Sequence, residues 1–150
     1  PLVQRLHLTQ QEIDYCISVT KKEIERRVER LRGDKPFPDL TGETVILVDD
    51  GLASGFTMLA AVKSVVKLGS KWVAVAVPTA SKIALNMVTP HVDGVVCLNV
   101  RDETFYAVAD AYREWYDLSD EEVLMHLRQK PANHDFLRTQ DLSHSSKEQN

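Results

Sequence analysis

Asp49 and Asp50 are adjacent acids at the end of an apolar run, and the loop after them, Gly51-Leu52-Ala53-Ser54-Gly55-Phe56-Thr57, mixes glycines with hydroxyl side chains. The stretch meets two opposed electrostatic demands. Adjacent carboxylates hold a divalent cation, or they accept hydrogen bonds from neutral hydroxyls such as a sugar diol. A glycine-containing loop that runs into a helix presents backbone N–H groups and partial positive charge, which suits a phosphate. Gly51 and Gly55 let the backbone come close, and Ser54 and Thr57 add hydroxyl donors. A sugar phosphate satisfies both halves at once. The plainer alternative is a tight turn and helix cap that closes a buried strand and binds nothing. Two familiar phosphate motifs do not fit: no lysine stands between Gly51 and Leu59, as a P-loop requires, and Gly-x-Gly-x-x-Gly is absent.

The elements that must position this loop follow from hydrophobic spacing. Thr44 to Val48 reads as a strand, and Thr57 to Leu68 as a helix closed by Gly69. Trp72 to Val77 is a second strand, Ser81 to Val88 a short helix, and Asp93 to Leu98 a third strand. Near-continuous apolar strands alternating with helices predict an α/β fold with a parallel sheet covered on both faces. Upstream, Thr9 and Glu12 have capping-box spacing at the head of a long helix reaching Arg32, with Gly33 as its stop. Its apolar positions recur at helical intervals, Ile13, Ile17, Ile24, Val28 and Leu31, while acids and bases interleave from Lys21 to Arg30 as on a solvated face. Phe105 to Ala109 reads as an edge strand or a loop, and Ser119 with Glu122 makes a second capping box. The division expected is a domain over residues 1–130 and a polar, poorly ordered tail over 131–150.

The totals narrow the class. The 150 residues are 43% hydrophobic and 27% charged, with a formal net charge of -4. That balance gives no support to a polyanion surface, so no nucleic-acid partner is expected. No run of apolar residues is long enough to cross a membrane, and no signal peptide opens the sequence, so a cytoplasmic protein is expected. Cys16 and Cys97 have no metal-ligand spacing and read as reduced thiols. His7, His91, His126, His134 and His144 share no motif and read as surface or core residues.

Residues 45 to 58, "VILVDDGLASGFTM", resemble the phosphoribosyl-pyrophosphate (PRPP) binding motif of the type I phosphoribosyltransferases: four apolar residues, two acids, and a loop ending Thr-Gly-x-Thr. Ser54 stands for the first threonine of that ending and keeps its hydroxyl; Phe56 replaces what is often Gly or Ala. "RGDKPFPDLTGETVILVDDG", residues 32 to 51, and "FYAVADAYREWYDLSDEEV", residues 105 to 123, are similar to a poorly characterised subgroup of the same family. The resemblance covers most of residues 10 to 125. It implies the three-layer, Rossmann-like fold of that family, here incomplete and with a long N-terminal helix. It also implies that Asp49 and Asp50 bind the ribose hydroxyls of PRPP, and that Gly51, Leu52, Ala53, Ser54, Gly55, Phe56 and Thr57 enclose the 5′-phosphate.

The activity so implied is displacement of pyrophosphate from C1′ of PRPP by a nitrogenous base, with Mg2+ held through PRPP and no metal held directly by the protein. Family members acting on 6-oxopurines carry an acid where this sequence has Ala53, so hypoxanthine and guanine are disfavoured. Phe105 and Tyr106 could stack on a base, although core packing is the ordinary role of such aromatics. No catalytic residue is assigned. The family's upstream half supplies further strands and a basic pyrophosphate-binding loop, and no counterpart stands before Leu8. The expectation is therefore the C-terminal portion of the family fold, whose partner is a second copy in a homodimer or a complementing N-terminal fragment. Two other readings stay open: a regulatory module that senses PRPP or a nucleotide without catalysis, and a metal-dependent phosphohydrolase with Asp49 and Asp50 as ligands. The hydrolase would need more acids at other strand ends, where only Asp102 is a candidate.

Overall fold

Three short β-branched runs separated by helical stretches suit a parallel sheet, because a connection long enough to hold a helix can cross it. A computed structural model shows that arrangement and describes residues 6–103 and 106–128. Phe105 and the 131–150 tail lie outside the described residues. The chain divides into two compact units, Pro1–Lys35 with Asp117–Asn150, and Pro36–Tyr116.

In the first unit, helix α1 (Gln10–Arg32) starts at Thr9, whose hydroxyl oxygen accepts from the Glu12 N–H while the Glu12 side chain accepts from the Thr9 N–H. It ends at Gly33, whose N–H donates to the Glu29 carbonyl at 2.9 Å with φ at +59°. The C-terminal helix of this unit runs Asp120–Arg128 and is called α4 below. Arg26 donates to Asp120 at 2.9 Å, Arg30 approaches the same carboxylate at 3.2 Å, and Arg30 also pairs with Glu121. These guanidinium groups hold the Asp120 carboxyl below its usual range, the hydrogen bond from Arg26 being the largest cause. The apolar stripe of α1 buries no residue fully: Ile17, Ile24 and Val28 all count as exposed. Charged contacts, rather than a core, link these two helices.

The second unit holds β1 (Thr44–Val48), α2 (Phe56–Lys67), β2 (Trp72–Ser81), α3 (Lys82–Val88), a 3₁₀ turn at Thr89–His91, β3 (Gly94–Arg101) and a second 3₁₀ turn at Val108–Ala111. The parallel sheet has the order β1-β2-β3, with Leu47 opposite Val75 and Val77 opposite Cys97. Strand alternation sends Leu47, Val75, Val77 and Cys97 to one face, where they pack with Met58, Val62, Ala84 and Val88 of the helices. The opposite face is apolar but uncovered among the described residues: Ile46, Val48, Val96 and Leu98 are exposed, Leu98 to 83%. Cover on both faces, expected from the strands' composition, is thus seen on one.

Both β2 and β3 outlast the strands read from the sequence, β3 reaching Arg101 rather than stopping at Leu98. β2 continues past Val77 to Ser81, although Pro78 has no N–H for the ladder, because pairing with β3 resumes at Thr79–Asn99. Of the segment read as edge strand or loop, described residues 106 and 107 are loop and Val108 opens the Val108–Ala111 turn, where the Asp110 carboxylate accepts from the Ala107 N–H at 3.3 Å.

Candidate functional site

The acids emerge where β1 stops. The Asp50 N–H donates to the Asp49 carboxylate at 3.0 Å, which turns the chain back over the sheet. The extra length of β2 then holds the loop. The Leu52 N–H donates to the Thr79 carbonyl at 3.0 Å and the Ser81 N–H to the Leu52 carbonyl at 2.8 Å, so a single residue of the loop docks as one more parallel bridge. Leu52 itself is buried in the core. Ser81 performs two tasks with one hydroxyl: it caps α3 by accepting from the Ala84 N–H at 3.0 Å, and it donates to the Ala53 carbonyl at 2.6 Å.

Both loop glycines are required by close approach. A Cβ on Gly51 would lie 2.6 Å from Val108 Cγ1 and 2.9 Å from Thr79 Cγ2. Gly55 has φ at +79°, in the left-handed region, and a Cβ there would meet the Ala84 backbone at 3.1 Å. Gly55 then starts α2 with no side-chain cap and no acid in the first turn. Helices leave their first N–H groups without intrahelical partners, and among the described residues no side chain takes them here. Among the described residues, nothing accepts from the N–H groups of Gly51, Ala53 or Ser54 either. The Ser54 and Thr57 hydroxyls are likewise unengaged.

These donors surround a cleft of about 190 Å³ lined by Asp49, Gly51, Leu52, Ala53, Ser54, Gly55, Thr57, Met58 and Val108. Seven of the nine residues proposed from the acid-and-loop motif therefore converge on it. Asp50 and Phe56 are not part of its lining: Phe56 is 61% exposed, and the Asp50 carbonyl is taken by the Tyr112 hydroxyl at 2.6 Å. Tyr106 does not line the cleft; its hydroxyl shares a hydrogen bond of 2.7 Å with the Thr79 hydroxyl.

Burial, opposed by the Asp50 N–H and then reinforced by the Asp50 charge, raises the Asp49 carboxyl above its ordinary value. Burial also raises the Tyr112 phenol, with smaller contributions from the charge of Asp50, from Tyr106 and from Asp49. Among the described residues, no three His, Cys, Asp or Glu side chains assemble as a metal site, and Asp102 pairs with Lys82 at 2.8 Å.

Thr79, Ser81, Val108 and Tyr112 were not legible as site residues. Ser81 had a signal, since it stands where α3 begins and is a favoured cap. Val108 and Tyr112 had none, because they reach the loop from a segment with no regular period.

The sequence and its parallel α/β fold are similar to those of known proteins. The family model described as phosphoribosyl transferase domain matches residues 4–113. Two relatives from Mycobacterium tuberculosis, "Putative phosphoribosyl transferase MT0597" of strain CDC 1551 and "Putative phosphoribosyl transferase Rv0571c" of strain H37Rv, are each 33% identical over 135 residues. Those matches cover 90% of this chain but 30% of each relative, so the chain spans less than a third of their length. Among solved structures, TT1426 from Thermus thermophilus superposes with a TM-score of 0.65 at 32% identity, over 79% of this chain and 58% of that one. Among the described residues, no helix is long and apolar enough to cross a membrane. A matching family domain over most of the chain, carried on this parallel sheet, leads to one conclusion: the chain belongs to the phosphoribosyl transferase domain family.

Proposed function

We propose that the cleft binds PRPP and that the protein transfers its 5-phosphoribosyl group to a nitrogenous base with release of pyrophosphate. The observation that carries this reading is the pairing of unengaged donors at the start of α2 with carboxylates at the end of β1. The 5′-phosphate lies against the N–H groups and hydroxyls of the 53–57 loop, where partial positive charge stabilises it. Asp49 and Asp50 accept from the ribose 2′- and 3′-hydroxyls. With no third acid joining Asp49 and Asp50 among the described residues, this reading has Mg2+ arrive chelated by the pyrophosphate and ribose oxygens of PRPP, none of it held directly by the protein. Mg2+ so held would neutralise charge on the departing pyrophosphate. The chain's own residues position the sugar so that C1′, as it gains oxocarbenium character, faces an incoming ring nitrogen. The Asp49 and Asp50 carboxylates are near enough to that sugar to favour its developing positive charge.

A second reading, sensing without transfer, draws on one observation: among the described residues, no lysine or arginine lines the cleft. On the first reading, a basic segment from a complementing fragment or a second copy contributes the pyrophosphate end.

The test is calorimetric titration of PRPP with Mg2+ into the chain and into Asp49→Asn/Asp50→Asn. Charge-assisted hydrogen bonds contribute about 1.5–3 kcal/mol each, so the double variant is expected to bind roughly a hundredfold more weakly or worse. Equal heats from the two proteins would overturn the sugar-diol assignment. Pyrophosphate release across a panel of bases then separates transfer from sensing.

A further inference from the structure

The loop is gripped from a second side, by the segment that follows β3. Val108 packs on the Gly51 backbone so closely that a Cβ there would lie 2.6 Å from its Cγ1. Four residues later the Tyr112 hydroxyl donates to the Asp50 carbonyl at 2.6 Å, across a separation of 62 positions in sequence. Both contacts fall on one peptide unit, Asp50–Gly51, the junction between the acids and the phosphate loop. A trans peptide is planar, and its C=O and N–H point in opposite directions. With no cis bond in the described chain, fixing the Asp50 carbonyl toward Tyr112 also fixes the Gly51 N–H away from it. That N–H has no acceptor among the described residues, and Gly51 is buried and lines the cleft. A buried N–H without an acceptor is costly and uncommon, so an orientation enforced from outside points to an external acceptor.

Tyr112 is itself held. Its N–H donates to the Ala109 carbonyl at 3.1 Å as the 3₁₀ turn ends, and its ring meets the Trp115 ring edge-on at 5.3 Å between centroids.

We propose that Tyr112 is a positioning residue: by holding the Asp50 carbonyl, its hydroxyl aims the Gly51 N–H at an anionic or hydroxyl oxygen of the bound sugar phosphate. The proposal rests on the reading of the cleft as a PRPP site. It adds a donor to the ligand shell at the sugar side of the loop and gives the 106–115 segment a task in binding.

Tyr112→Phe removes the hydroxyl and keeps the ring against Trp115, and Tyr116→Phe removes a hydroxyl from an exposed neighbour as a control. Each is titrated with PRPP and Mg2+ after circular dichroism shows it folded at the working temperature. The expected result is a Kd raised roughly three- to tenfold in Tyr112→Phe, with none in Tyr116→Phe. The spectroscopic readout is the Gly51 amide: PRPP is expected to shift its ¹H–¹⁵N resonance in the parent, and to shift it less in Tyr112→Phe. A purely structural role would lower the melting temperature and leave both readouts unchanged. Unchanged affinity and an unchanged Gly51 response in Tyr112→Phe would overturn the proposal while leaving the PRPP reading intact. A parent that binds no PRPP would defeat that reading first, and this proposal with it.

Discussion

Helices α1 and α2 begin in opposite ways. At the head of α1, Thr9 and Glu12 satisfy each other's backbone N–H groups and the end is closed. At the head of α2, Gly55 in a left-handed conformation offers no side chain, and the first-turn donors stay open beside a cleft. The remaining helices side with α1: Ser81 caps α3, and Ser119 with Glu122 caps α4. Open first-turn N–H groups carry partial positive charge, and on the reading proposed above this end is the one that meets the phosphate. The electrostatics run the same way. The closed end holds Glu12 below its usual value, first through the Thr9 N–H and then its hydroxyl, whereas beside the open end Asp49 is pushed up by burial.

The contrast can be broken most forcefully at Gly55. Gly55→Val places a β-branched residue at φ +79° with its Cβ against Ala84. Left-handed geometry alone costs about 1–2 kcal/mol, and the clash adds to it, so denaturant melts should show a loss of about 2 kcal/mol or more. A melt that matches the parent would mean the open end is not held in this conformation. Next, Ser54→Ala/Thr57→Ala removes two hydroxyls that have no partner among the described residues. It should weaken PRPP binding by roughly tenfold or more, as charge-assisted hydrogen bonds are lost, and leave stability within about 0.5 kcal/mol.

Thr9→Ala gives the mirror image at the closed end: a loss of about 1 kcal/mol in a denaturant melt and no change in PRPP affinity. Should it lower affinity while Ser54→Ala/Thr57→Ala does not, the comparison of the two ends would be reversed.

The smallest effect is in pH. Asp49 has a folded pKa above its unfolded value, so the fold favours the neutral acid. Its contribution to stability is therefore fully present at low pH and is lost as pH rises through the folded pKa. Asp49→Asn should melt slightly above the parent at pH 7, and the gap should close as pH falls toward 3. Because Asp49 remains reachable by solvent, the difference is expected to be small. Glu12 works with the opposite sign: its folded pKa is lowered, so the α1 cap contributes at neutral pH and weakens as pH falls through that lowered pKa.

What could be read along the chain was whatever depends on near neighbours. Strand and helix periods, both capping boxes and the acid–glycine–hydroxyl loop are local patterns, set by backbone geometry over a few residues. They sufficed for the parallel α/β arrangement and for seven of the nine residues that line the cleft, Asp49, Gly51, Leu52, Ala53, Ser54, Gly55 and Thr57. What only the tertiary structure decided comes from segments distant in sequence. β2 outlasts Val77 because Leu52 and β3 supply partners for Thr79 and Ser81. Tyr112 reaches the Asp50 carbonyl and Val108 the Gly51 backbone from a stretch with no period to announce it. The exposure of Ile46, Val48, Val96 and Leu98 could not be read either: apolar content shows that a face favours cover, and only the fold shows whether cover is there.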